Sequence, residues 1–157
     1  GNKFDQAIMD YIKKKYSLYI GEQTAELIKI QIGAALPAKE KSEIQIRGRD
    51  AVSGLPKDIV INSNEVAEAL NQQLIDIAAS VKEVFNQTPP ELVADIMEKG
   101  IIVSGGSGSL RYIDQFFKQM TGVETYVAEE PIFCVATGAG IILNHLDVYK
   151  RTLLNKR

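Results

Sequence analysis

Apolar residues recur at three- and four-residue spacing from the start of the chain, at Phe4, Ile8, Tyr11, Ile12 and Tyr16. That period predicts an amphipathic helix over residues 3–16, with Lys13, Lys14 and Lys15 as a solvated last turn that complements the helix dipole. A second helix is written in "GEQTAELIKIQIG", where Leu27, Ile28 and Ile32 supply the apolar face and Gly33 the stop. The period then shortens to two. In "SEIQIRGRDAVSGLPKDIVINS" Ile44 and Ile46, then Ile59 and Ile61, alternate with polar residues between Gly48, Gly54 and Pro56. This predicts short antiparallel strands over 42–48, 50–53 and 57–61.

Helical spacing returns at Asn62, which with Glu65 has the spacing of a capping box. The helix it opens runs to about Gln87, with Val66, Leu70, Leu74, Ile77, Val81 and Val84 as its buried stripe. "TPPELVADIMEKG" reads as another helix, capped by Thr88, with proline in its first turn and Gly100 at its end. Strand (101–104), glycine-rich turn, helix (109–120), strand (124–128) and helix (131–145) follow. Such βαβα alternation predicts an α/β fold with a parallel or mixed sheet covered by helices. The tail "KRTLLNKR" is expected to fray. The expected organisation is a large α/β part made of residues 1–20 and 66–157, interrupted by a small α+β insert at 21–65.

Composition narrows the function. The chain has 157 residues, 45% hydrophobic and 24% charged, which suits an ordinary globular core. A net charge of −2 supplies no global field for nucleic acid, so none is expected as a partner. The single cysteine, Cys134, excludes an internal disulfide; its apolar neighbours predict a buried small hydrophobe rather than a nucleophile. No apolar run reaches the length of a membrane span. The chain begins within an amphipathic pattern and without an initiator Met, from which a fragment is expected.

His145 is the only histidine, so a histidine triad or metal cluster lacks its partners. No P-loop, nucleophile elbow or paired-cysteine motif occurs, and no two carboxylates stand out by spacing as an acid/base pair. What remains is "IIVSGGSGSLRYIDQFF", a strand that turns through Gly105, Gly106, Ser107 and Gly108 into a helix. Glycines there permit a sharp reversal at positive φ. They also leave backbone bare, so that a nucleotide can lie against amide groups at a helix start. By itself the turn supports either use. It lacks the G-x-G-x-x-G order of dinucleotide folds, since Leu110 and Arg111 stand where the last glycine would be.

Four segments, "YIGEQTAELIKIQIGAA", "EIQIRGRDAVSGLPKDIVINSNEVAEAL", "TPPELVADIMEKGIIVSGG" and "VETYVAEEPIFCVATGAG", together resemble the MreB/Mbl family of bacterial actin-like, shape-determining proteins. They run in family order over nearly the whole chain. The resemblance implies an actin-like ATPase (ribonuclease H-like) fold of two halves around a nucleotide cleft, with this chain as the second, C-terminal half. It implies ATP as the ligand of the intact protein, with Mg2+ ligands and the phosphate loops outside this chain. "GEQTAELIK" is similar to the family helix beside adenine and ribose, so Glu22, Gln23, Thr24 and Ala25 would line the pocket. Glu26 and Lys29 would make polar contacts to base or sugar; the bland alternative is a surface helix with a Glu–Lys pair. Gly105, Gly106, Ser107 and Gly108 would pass under the adenosine and α-phosphate. Ser107 interrupts a run that in the family is three glycines. If that position needs φ > 0, serine there carries a strain of about 1 kcal/mol.

For the whole protein the resemblance implies a head-to-tail homopolymer of cytoplasmic filaments. Cell-shape or wall-synthesis proteins are the expected further partners, and membrane association would run through the missing half. This chain alone is expected to be inactive as an ATPase. A second class of function, a folded interaction module that binds no nucleotide, stays open.

Overall fold

The computed structural model describes residues 1–149; the expectation for the tail "KRTLLNKR" lies outside the described residues. The first helix, α1 (Asn2–Tyr16), turns Phe4, Ala7, Ile8 and Ile12 inward. It closes on Ser17 in the left-handed conformation (φ 53°), whose amide donates to the Lys13 carbonyl. That reversal starts β1 (Leu18–Tyr19), a two-residue strand too short for any periodic signal. Next comes α2 (Glu22–Ile32), followed by β2 (Glu43–Asp50) and β3 (Pro56–Asn62). The three strands form one antiparallel sheet in the order β1-β2-β3, with Ile44 opposite Ile61 and Ile46 opposite Ile59.

The strand expected at 50–53 is instead the hairpin turn. Asp50 accepts hydrogen bonds from the Val52 amide (3.0 Å), the Ser53 amide (2.8 Å) and the Ser53 hydroxyl (3.0 Å), an arrangement that curls the backbone. Gly54 completes the turn at φ 73°. These amide and hydroxyl bonds, with Lys57 at 3.2 Å, hold the Asp50 carboxyl well below the usual carboxylate range.

The capping box forms as the sequence predicts. Asn62 Oδ1 accepts from the Asn64 and Glu65 amides, Glu65 Oε2 accepts from the Asn62 amide at 2.8 Å, and α3 runs Ser63–Gln87. Its buried stripe is Val66, Ala67, Leu70, Leu74 and Ala78; Ile77 and Val84, expected inside, are exposed. Thr88 does not cap the following helix. Its hydroxyl donates to the Val84 carbonyl (2.6 Å) and its amide to Phe85, so it ends α3. Pro89 follows, and a residue before proline is held out of the helical region. Pro90 then opens α4 (Pro90–Lys99).

Then β4 (Ile101–Val103), α5 (Ile113–Thr121) and β5 (Thr125–Val127) form a βαβ unit with β4 and β5 parallel, and α6 (Cys134–Asn144) completes the alternation. Of the residues expected to start α5, Ser109 instead ends a 3₁₀ turn at Gly106–Ser109, and Arg111 pairs with Ala34 in a short parallel bridge. The main chain is held there until Tyr112. Cys134 is half-buried, with its Sγ 3.7 Å from the Glu129 carbonyl, rather than buried as expected.

One hydrophobic cluster joins Phe4, Ile8 and Ile12 of α1 to Ala25 and Ile28 of α2, Ile46 and Ile61 of the sheet, Leu70 and Leu74 of α3, and Phe116 of α5. By contrast, α4 and α6 bury no residue, although α6 carries Val135 at 83% and Leu143 at 65% exposure. Among the described residues no helix is long and apolar enough to cross a membrane.

Candidate functional site

The periodicity of α2 decides which of its side chains can meet a ligand. Ala25, Ile28 and Ile32 point into the core, so Glu22, Gln23 and Glu26 are left facing out. Leu27, expected on the buried face, is 45% exposed because Ala25 takes that side. Gly21 caps the helix without a side chain; its carbonyl accepts from the Thr24 amide at 3.1 Å.

A cleft of about 450 Å³ opens between α2 and the glycine-rich turn. Glu26, Lys29 and Ile30 form one wall, Gly106, Ser107, Ser109 and Leu110 the other, and Ile132 lies at its edge. Glu22 and Gln23 line an adjoining groove of about 290 Å³ against α1, with Asp5, Gln6 and Met9, and Glu26 borders both. Of the ten residues expected at the site, Glu26, Lys29, Gly106 and Ser107 meet at one cleft. Ala25 is fully buried in the core and Gly108 is buried behind the turn, so neither side faces the cleft.

The polar groups of the cleft are unequally free. Lys29 Nζ holds Asp5 through both carboxylate oxygens at 2.7 and 3.0 Å, with both side chains largely buried. Its charge is thus already neutralised by α1, a partner 24 residues away that no local spacing would reveal. Glu26 makes no hydrogen bond or ion pair among the described residues and stands exposed. Among the described residues no three His, Cys, Asp or Glu side chains are placed to hold a metal ion.

The turn itself uses its glycines differently. Gly105 takes φ 86°, and its amide donates to the Pro131 carbonyl at 2.7 Å, which ties the turn to the approach to α6. At Gly106 a Cβ would meet nothing within 4 Å; it would project into open space at the cleft wall. Gly108 packs tightly, its would-be Cβ 3.3 Å from Val103 Cγ1. Ser107 has no positive φ, so the strain weighed for serine at this position is absent. Bare backbone at Gly106 and a Glu26 carboxylate with no partner among the described residues give the cleft an acceptor for hydroxyl or amino groups and a surface that a flat ring can approach. Ser109, Leu110, Ile30 and Ile132 also line the cleft. Sequence reasoning passed over them because hydroxyl and aliphatic side chains carry no chemical signature of their own.

The parallel βαβ unit, the antiparallel hairpin and the cleft at a glycine-rich turn belong to an actin-like ATPase fold, to which superposition on solved structures assigns the chain. The MreB5 protein of Spiroplasma citri, solved bound to ADP, superposes with a TM-score of 0.90 at 37% identity, over 98% of this chain and 46% of that one. The profile of the family described as MreB/Mbl protein matches residues 1–151, and the chain belongs to that family. The cell shape-determining protein Mbl of Bacillus subtilis is 48% identical over 147 residues, 94% of this chain and 44% of that protein. Cell shape-determining protein MreB of Escherichia coli is 42% identical over 156 residues, 99% of this chain and 45% of that protein. The chain therefore spans a little under half the length of these relatives.

Proposed function

We propose that this chain is the C-terminal half of an MreB-like bacterial cytoskeletal protein, and that its cleft takes the adenosine part of ATP. The observation that carries this reading is convergence. Glu26 of α2 and Gly106 of the turn, 80 positions apart in the sequence, face each other across one cleft. At about 450 Å³ it lies within the roughly 300–1,000 Å³ of small-molecule sites. The relative from Spiroplasma citri was solved with ADP and also with AMPPNP, which supports an adenine nucleotide. Glu26 is the group to accept from ribose or base, Lys29 keeps α2 seated on α1 through Asp5, and Gly106 lets the ligand approach backbone. Phosphate binding, Mg2+ coordination and hydrolysis belong to the other half.

In the intact protein ATP would lie between the halves, and protomers would add head to tail as cytoplasmic filaments that guide cell shape; heterologous contacts of this kind produce open polymers. Membrane association and contacts to wall-synthesis proteins would run through surfaces outside this chain. Within this half we place the small subdomain at 21–65, inserted in a large part made of 1–20 and 66–157; one hydrophobic cluster runs through both.

Calorimetry with AMPPNP tests the reading. The 157-residue chain alone should bind weakly or not at all, and the chain joined to the other half should bind and sediment in an ATP-dependent manner. A joined protein that binds no nucleotide would leave the interaction-module function in place instead.

A further inference from the structure

Both walls of the cleft end at one side chain. The guanidinium of Arg111 donates to the Ile32 carbonyl at 2.9 Å, to Ser42 Oγ at 2.8 Å and, at the longer 3.5 Å, to the Gly33 carbonyl. Its main chain is bound to the same place: the Arg111 amide donates to Gly33 at 3.2 Å and the Ala35 amide to the Arg111 carbonyl at 2.8 Å. Ile32 and Gly33 close α2, whose last carbonyls have no partner within the helix and carry the negative end of its dipole. Arg111 itself stands two residues beyond the turn Gly106–Ser109, with Leu110 between them. Next to it, Leu110 packs so closely on Gly33 that a Cβ there would lie 2.7 Å from Leu110 Cδ2.

We infer that Arg111 is a positioning residue for the cleft, which locks the C-terminal end of α2 to the glycine-rich turn and so sets the separation of the two walls. This rests on the nucleotide reading only for what the cleft holds; the joint itself is chain geometry. Arg111 does not line the cleft and acts through Glu26 and Gly106. A planar guanidinium serves three acceptors that diverge from one point. A lysine ammonium keeps the charge but places it on a single nitrogen, so it satisfies the helix end without gripping Ser42 as well. Through Ser42 the joint also reaches the base of the hairpin, because the Ser42 amide donates to Ser63 Oγ at 3.3 Å and the Ser63 amide donates to the Ser42 carbonyl at 2.9 Å.

The test uses the full-length protein, a fluorescent N-methylanthraniloyl-ADP probe, and amide hydrogen exchange of wild type, Arg111→Met and Arg111→Lys. In Arg111→Met, probe affinity should fall about tenfold, roughly one lost charged hydrogen-bond set. Exchange should quicken at residues 33–35, 42 and 110–113 and stay unchanged in the body of β2 and β3. Arg111→Lys should recover affinity to within about threefold of wild type, since the charge at the helix end is retained. Unchanged affinity in Arg111→Met, or exchange that quickens equally throughout α1, β2 and β3, would overturn the inference and leave Arg111 a general stabiliser. If wild type binds no probe, the nucleotide reading fails. The exchange pattern still decides the joint: local loosening supports it, and no change at 33–35 sinks it.

Discussion

At the scale of single residues, the turn separates backbone need from ligand need. Positive φ with extended ψ sits at Gly105 (φ 86°, ψ 170°), one residue before the open position and two before Ser107. Gly105→Ala should therefore cost about 1–3 kcal/mol, since that backbone region is essentially confined to glycine. Ser107→Gly should stay within about 0.5 kcal/mol of wild type. Urea unfolding of the two variants checks both values; equal losses would place the strain elsewhere. Lys29 divides structure from binding in a similar way. Its ammonium is committed to Asp5, so Lys29→Met leaves a largely buried carboxylate without a partner and should lower stability by about 2 kcal/mol. The double variant Asp5→Asn with Lys29→Met should recover most of that loss, which thermal unfolding would read. Glu26→Gln, by contrast, should leave stability unchanged and weaken adenine-nucleotide binding by the full-length protein about fivefold, one net hydrogen bond. An unaltered affinity would remove Glu26 from the site.

Elements show what local pattern can and cannot carry. The capping box of α3 was readable because Asn62 and Glu65 lie three residues apart and each needs only the other's backbone. Glu65 does more than close the box: it accepts from the Tyr16 hydroxyl and pairs with Lys15 at 2.9 Å, so it pins the end of α1 to the start of α3. Those partners lie about 50 positions away, so no local window contains them. For the same reason the lysines at the end of α1 read as solvated, although Lys15 reaches Glu65 and Lys13 lies over the Tyr19 ring at 5.1 Å. The βαβ order and the helix positions were legible from periodicity, whereas β1, the true start of α5 and the Asp5–Lys29 pair depend on chain packing. Burial alone would raise the Glu65 carboxyl, but hydrogen bonds from Tyr16, Lys15 and the Asn62 amide outweigh it and hold the group below its ordinary value. A depressed folded value means that this stabilisation is present above the unfolded carboxyl's range and is lost as pH falls through the folded one. Stability should thus decline on acidification below about pH 4.5, the group's ordinary value. Glu65→Gln should flatten that limb while lowering stability at neutral pH. Denaturant unfolding at stepped pH would show it, and an unchanged acid slope would assign the limb to other carboxylates.

On the scale of the whole molecule, burial is uneven in a way that composition hides. The apolar residues of α1, α2, the hairpin and α3 close on one another, whereas Leu92 and Met97 of α4, Ile102 of β4, and Val135, Ile141 and Leu143 of α6 are all more than half exposed. Scattered single apolar residues are normal on a surface, but so many on three elements between residues 90 and 144 are not. The family relatives are more than twice as long as the segment matched, and the simplest covering for these elements is the remainder of the same protein. Two consequences separate this covering from a self-sufficient domain. The isolated chain should bind a fluorescent hydrophobic dye such as ANS, and adding the other half should remove most of that signal. Amide exchange should then slow in β4, β5 and α6 and remain as it was in α1, α2 and the hairpin, whose core is already closed. On the proposed function the isolated chain should also release no phosphate from ATP, since the segment matched is under half the length of its relatives. Protection that spread evenly over the chain, or steady phosphate release by the chain alone, would contradict a half built to be completed by another.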